Sequence, residues 1–84
     1  MKGCAYFRRK LTIPIEPKMG PAAILETLED CAKFVRHMHR RRQARPHWEF
    51  AAELILKAAK SGRRADVDAV GGQMERALRC DGWL

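Results

Sequence analysis

The chain has 84 residues, 46% of them hydrophobic, and its 17 lysines and arginines against 10 acidic residues give a formal net charge of +7. This length predicts one small domain, residues 1–84, with a modest core, and the hydrophobic fraction excludes a disordered tail. No apolar run approaches the ~20 residues that a membrane span needs, and no apolar segment follows the basic N-terminus as it does in a secretory signal. We therefore expect a cytoplasmic protein without membrane contact.

The three cysteines, Cys4, Cys31 and Cys80, are scattered along the chain and form no C-x-x-C pair. An odd number of isolated cysteines is typical of reduced thiols in a reducing compartment. Cys31 falls on the apolar side of a predicted helix, so we interpret it as a small core residue.

The first predicted element is a strand over residues 6–16. Leu11, Ile13 and Ile15 alternate there with polar or non-bonding positions, the period of two that marks a half-buried strand. Proline cannot donate to a strand ladder, so Pro14 predicts an edge strand or a non-bonded position. Residues 17–21 have turn chemistry, and residues 22–25 could return as a short second strand to complete a hairpin.

The first predicted helix covers about residues 28–41. Thr27 is its expected N-cap, with Asp30 three residues later as a capping box. The arginine-rich stretch before Pro46 ends the helix, because a residue that precedes proline disfavours helical backbone angles. The expected buried face consists of Leu28, Cys31, Ala32, Val35 and Met38.

The second predicted helix begins at Pro46 and ends at Ser61-Gly62, which fits the preference for proline at the first position and glycine after the last. Phe50, Leu54 and Leu56 extend its apolar surface around most of the circumference, so we expect a buried, central helix. Its main apolar side consists of Trp48, Ala51, Ala52, Ile55, Ala58 and Ala59.

The third predicted helix covers about residues 67–80, with Asp66 as its N-cap. Gly71 and Gly72 lie in its middle, where each glycine lowers helix stability by about 1 kcal/mol relative to alanine. The pair predicts either close approach to another helix or a kink. Asp81-Gly82 closes the helix, and Trp83-Leu84 should fold back onto the core. Its expected buried face consists of Val67, Val70, Met74, Ala77 and Leu78. The predicted fold is α+β, an N-terminal β-hairpin followed by a three-helix core.

A set of residues spread over the predicted elements forms a recognisable pattern: Thr27, Asp30-Cys31-Ala32, Phe34-Val35, Trp48, Ala52, Ala58 to Gly62 and Gly82-Trp83-Leu84. Together with the order of elements, this pattern resembles a family of small uncharacterised bacterial proteins, the domain-of-unknown-function family numbered nine-eight-two, over roughly residues 7–84. The family has no established catalytic residues, so the resemblance implies a fold and a bacterial source but no chemistry.

The positive charge is concentrated in two intervals without acidic residues, Asp30 to Glu49 and Glu53 to Asp66. Such a patch could neutralise phosphates and bind nucleic acid independently of sequence. The alternative is a solvated basic surface that complements the helix dipoles. A helix-turn-helix, an RNA-recognition motif and a ribbon-helix-helix dimer all fit the sequence badly. The candidate nucleic-acid or anion contacts are Arg36, Arg40, Arg41, Arg42, Arg45, Arg63 and Arg64.

No pattern in the sequence indicates a metal site, a cofactor or catalysis. His37 and His39 would point about 200° apart on a helix, and His47 adds no spacing that is typical of zinc ligands. Gly71-Gly72 lacks the flanking residues of a phosphate loop, and Ser61, the only serine, lies in a helix-ending turn. We therefore expect no catalytic residue, metal or cofactor.

Two functions remain open. The first is a non-enzymatic accessory or regulatory module that acts through protein contacts, including a homodimer formed through the strand edge or the Gly71-Gly72 surface. The second is a nucleic-acid-binding accessory protein that uses the arginine-rich surface.

Overall fold

The computed structural model describes residues 6–18 and 24–84. Two strands form an antiparallel hairpin, and the helices follow it, which confirms the predicted α+β class. In this part of the chain, no helix combines the length and the apolar character of a membrane-spanning segment. The elements are β1 (Lys10–Ile15), β2 (Leu25–Thr27), α1 (Leu28–Arg36), α2 (Arg40–Gln43), α3 (Pro46–Ser61) and α4 (Arg64–Cys80).

The hairpin is shorter and less regular than predicted. Leu11 and Ile15 are buried as expected, but Ile13 is 72% exposed. The pairing is irregular here, because Lys10 pairs with Thr27 whereas Ile15 pairs with Leu25, and an interrupted ladder does not keep a regular alternation of side chains. The second strand begins at the residue where its predicted range ended, while residues 19–23, with most of the predicted turn and the two alanines at 22 and 23, lie outside the described residues.

Helix α1 begins with the predicted capping box. The Thr27 hydroxyl accepts the Asp30 N–H at 3.1 Å, and the Asp30 carboxylate accepts the Thr27 N–H at 3.1 Å. The prediction that this helix continues to residue 41 is wrong, because α1 ends at Arg36 and the separate α2 starts after His39. Gln43 stabilises the break, since its Nε2 donates at 3.0 Å to the main-chain oxygens of both Arg36 and Met38.

Helix α3 has the predicted ends and, apart from the half-buried Ala52, the predicted buried side. Trp48, Ala51, Ile55, Ala58 and Ala59 are buried. The prediction that apolar residues all round the helix are buried is wrong for two of them, since Phe50 is 48% and Leu56 57% exposed. Helix α3 packs chiefly against α4 and α1, and these neighbours leave one side of the helix in solvent.

Helix α4 starts at Arg64, three residues before the predicted start. Asp66 therefore lies inside the first turn, where its carboxylate accepts the Ser61 hydroxyl, and the predicted N-cap is wrong. The predicted apolar face is buried, and Gln73 is buried beside it. The helix runs without interruption through Gly71 and Gly72, and a Cβ on either would meet no atom of the described residues within 4 Å. The close helix contact predicted at these glycines is therefore wrong.

The chain end returns to the core as predicted. Gly82, at φ 72°, donates its N–H to the Arg79 oxygen at 3.1 Å, and the Trp83 N–H donates to the Leu78 oxygen at 2.7 Å. This pair of bonds is a Schellman motif, which reverses the chain after a helix. The Trp83 ring then lies 6.2 Å from Phe34 and 6.4 Å from Trp48, centroid to centroid.

We expect Gly62→Ala to lower the free energy of unfolding by about 2 kcal/mol or more, because alanine resists the left-handed region. Gly62 has φ 67°, and a Cβ there would lie 2.6 Å from the Tyr6 ring. The matched control is Gly71→Ala in the middle of α4, where a Cβ meets no other atom of the described residues. This substitution should raise the free energy of unfolding by about 0.5–1 kcal/mol. Urea unfolding measures both, and equal losses would contradict the conformational explanation.

Candidate nucleic-acid interface

The carboxylate of Asp81 binds two arginines of the arginine-rich segment. Asp81 follows α4, and its side chain is 1% exposed. Oδ2 accepts the Trp48 indole N–H at 2.7 Å and an Arg42 guanidinium N–H at 2.8 Å. Oδ1 accepts an Arg45 N–H at 2.8 Å and lies 3.1 Å from Nε2 of His47. We name these five residues the Asp81 cluster.

The Asp81 cluster keeps its carboxylate ionised. Burial alone would raise the pKa of Asp81, but hydrogen bonds from Trp48, Arg42 and Arg45 and the charge of His47 outweigh it and lower the pKa from 3.8 to about 2. Hydrogen bonds to the charged form of an acid favour that form. The cluster therefore holds a buried negative charge at neutral pH.

Two of the seven predicted contact residues, Arg42 and Arg45, are thus bound to Asp81. The Arg42 guanidinium also lies over the Trp83 ring, with Cζ 4.4 Å from the centroid, a favourable cation–π arrangement. Its side chain is 29% exposed, whereas that of Arg45 is 48% exposed. Because one carboxylate faces two guanidiniums, the cluster reduces the positive charge of this segment without cancelling it.

Three other predicted residues come together in an open groove. The end of α1 and the short α2 flank a turn, and the exposed Arg36, Arg40 and Arg41 line the groove formed there, which has a volume of about 640 Å³. We name it the first basic groove. No acidic side chain among the described residues lines it; its remaining lining residues are Met38, His39 and Gln43.

Arg64 lies in a second basic groove, of about 480 Å³, together with Arg8, Arg9, Lys10 and Tyr6. The Arg9 guanidinium lies over the Tyr6 ring, with Cζ 5.3 Å from the centroid. Arg64 Nη1 donates to the Lys10 oxygen at 3.0 Å. These contacts restrain two of the four cations. Sequence reasoning missed Arg8, Arg9 and Lys10 as members of this groove, because only the fold brings them beside a residue more than 50 positions away.

Arg63, the last of the seven, is the exposed residue that precedes α4, and it lines neither basic groove. The structure therefore divides the predicted site. Arg36, Arg40 and Arg41 stay together on the surface, Arg42 and Arg45 bind Asp81, and Arg64 joins the N-terminal cations.

The residues most suited to catalysis or metal binding have structural partners. His37 Nδ1 lies 2.7 Å from the Lys33 oxygen, and His39 Nδ1 accepts the Arg41 N–H at 3.1 Å. Cys31 is buried as predicted, and burial, with a smaller effect of the Asp30 charge, raises the pKa of its thiol to about 12. Within residues 6–18 and 24–84, no three His, Cys, Asp or Glu side chains are grouped to hold a metal ion.

We expect Asp81→Asn to lower the free energy of unfolding at pH 7 by about 2–3 kcal/mol, since removing one partner of a buried ion pair leaves the others uncompensated. The amide would also direct an N–H group toward existing donors. Urea unfolding monitored by tryptophan fluorescence measures the change. A loss below about 0.5 kcal/mol would mean that water replaces the carboxylate without cost.

The pH dependence of the free energy of unfolding measures the contribution of the ionised Asp81 carboxylate. Since the pKa of Asp81 is lowered by folding, its stabilisation is complete above about pH 4 and is lost as the pH falls toward 2, a change of ~2 kcal/mol. Subtracting the profile of Asp81→Asn removes the contribution of the other acids. The difference should fall across this window, and a flat difference would contradict the assignment.

Comparison of the chain with known proteins finds no match to a protein-family model, to a curated protein or to a solved structure. The resemblance to the domain-of-unknown-function family stays a prediction.

Proposed function

We propose that the chain is a non-enzymatic accessory module that binds nucleic acid through contacts to the phosphate backbone. The observation that carries the proposal is the first basic groove, where Arg36, Arg40 and Arg41 are exposed side by side and no acidic side chain of the described residues lines the same surface. Guanidinium groups suit this role because they bind phosphate oxygens in a bidentate way.

Complementing a helix dipole accounts for Arg36 but not for Arg40 and Arg41. Arg36 is in the last turn of α1, where a cation complements the helix dipole. Helix α2, however, has four residues, none of them buried, and three are consecutive arginines. So short a helix has little dipole to neutralise. Of the three, Arg42 has a structural partner in Asp81, so Arg40 and Arg41 are the residues that binding would explain.

The second basic groove supports the same function, because it adds four cations to the surface, of which Arg64 also lies 3.8 Å from a carboxylate oxygen of Asp68. Its Tyr6 ring is covered by Arg9 on one side and packs against Gly62. Tyr6 therefore positions a cation beside the start of β1. The contacts available in both grooves are to phosphate, and phosphate contacts carry no sequence information.

The non-enzymatic part of the proposal rests on the candidate nucleophiles. Ser61 donates its hydroxyl proton to Asp66 and accepts the Arg63 N–H. The Cys31 thiol is buried and stays protonated, since its pKa is raised to about 12. Ser61 and Cys31 are thus engaged in the fold and are poorly placed to attack a substrate, whereas the other described cysteine, Cys80, is exposed.

We expect labelled oligonucleotides to bind with a dissociation constant near 10⁻⁵ M, on the order of non-specific affinities at physiological salt. Arg40→Ala/Arg41→Ala should weaken this binding and reduce the slope of log K against log salt by about 2, because each lost phosphate contact releases about one counterion less. Fluorescence anisotropy at several salt concentrations measures both quantities.

The matched control is Arg76→Ala/Arg79→Ala, which removes the same charge from exposed positions on α4 outside both basic grooves. Its slope should stay close to that of the original chain. Equal slopes for the two double variants would show that net charge alone determines binding, and no binding at low salt would refute the function.

A further inference from the structure

The two basic grooves lie at the two ends of helix α1. At the start of the helix, the Leu28 N–H donates to the Arg9 oxygen at 3.0 Å, so the second basic groove, which Arg9 lines, is beside this end. At the other end, Arg36 is the last residue of α1 and lines the first basic groove. The helix has nine residues, and at ~1.5 Å per residue it spans about 13 Å.

Helix α3 gives a second measure of the separation. It is followed by Gly62, against which the Tyr6 ring of the second basic groove packs. Its first residue, Pro46, comes shortly after Gln43, which lines the first basic groove. The sixteen residues of α3 span about 24 Å. The two helices therefore place the grooves about 13–24 Å apart, in a structure whose longest dimension is 32 Å.

This separation determines which class of ligand can contact both grooves. Along one strand of a duplex, successive phosphates are about 3.4 Å apart on the helix axis, so about four to seven nucleotides cover the distance between the grooves. An inorganic phosphate, a mononucleotide or two adjacent phosphates of a strand can occupy one groove only. A polynucleotide is long enough to contact both.

The surface of α1 between the grooves carries no net charge. Its two acids, Glu29 and Asp30, are balanced by Lys33 and Arg36. Glu29, Lys33 and Arg36 follow one another at four- and three-residue spacing, so they share one face of the helix, and all three are exposed. Lys33 Nζ lies 3.9 Å from the Glu29 carboxylate. A strand can therefore cross this face without meeting an excess of negative charge.

We propose that one strand of nucleic acid occupies both basic grooves of the same chain and crosses the exposed face of α1 between them. The inference rests on the proposed function and adds the class of ligand, a polynucleotide of at least about seven nucleotides. Binding at one groove holds the next segment of the same strand near the other groove at a high effective concentration. A second strand would be repelled by the first, since the Debye length at ~0.01 M salt is about 30 Å.

Isothermal titration calorimetry at low salt, with a trinucleotide and a nonanucleotide in separate experiments, tests the inference. The trinucleotide has two adjacent phosphates and reaches one groove, whereas the nonanucleotide reaches both. We expect one nonanucleotide per chain when the oligonucleotide is in excess. Its dissociation constant should be at least about tenfold lower than that of the trinucleotide, because its second contact is intramolecular.

The variant Arg8→Ala/Lys10→Ala distinguishes one shared strand from two independent strands. Both residues are exposed and line the second basic groove but not the first. For a shared strand, the variant should still bind one nonanucleotide, at least about tenfold more weakly, because the linked contact is lost. For independent strands, the number bound would fall from two to one, and the affinity of the first groove would stay the same.

The matched control is Arg76→Ala/Arg79→Ala, which removes the same charge outside both grooves and should bind the nonanucleotide like the original chain. Circular dichroism verifies that each variant is folded. Two nonanucleotides per chain, or equal affinities of Arg8→Ala/Lys10→Ala and the control, would overturn this inference and leave the proposed function standing. Absence of nonanucleotide binding to the original chain at low salt would refute the proposed function, and this inference with it.

Discussion

The buried carboxylate of Asp81 determines how the C-terminal half of the chain fits together. It accepts hydrogen bonds from Trp48, Arg42 and Arg45, so it joins the end of α4 to the start of α3 and to the segment before it. A buried charge is costly unless its hydrogen bonds are satisfied, and here each oxygen has two partners. The Schellman turn after α4 sets the position of the carboxylate and directs Trp83 under Arg42. The result is an arginine-rich connection held by specific contacts on a small core.

This interaction also determines which arginines reach the surface. Successive residues of a helix are rotated by about 100°, so the three adjacent arginines of α2 cannot all point in one direction. Arg42 points to Asp81 and Trp83, and Arg40 and Arg41 consequently remain on the exposed side with Arg36. The anchoring of one arginine thus presents the other two. Sequence neighbours of the same type have different roles, one in stability and two in the proposed binding.

The features that could be predicted from the sequence are those determined by local chemistry or by periodicity. The capping box at Thr27, the helix end at Gly62 and the buried face of α4 depend on residues within a few positions of one another. The errors arose where a distant or unexpected partner decides the outcome. Gln43 stabilises the break after α1. Ile13 is exposed in a strand whose pairing is irregular, and Leu56 faces solvent where a packing neighbour was expected. At the candidate site, the arginine-rich region was identified, but its division was not, because no spacing in the sequence indicates that Asp81 meets Arg42 and Arg45.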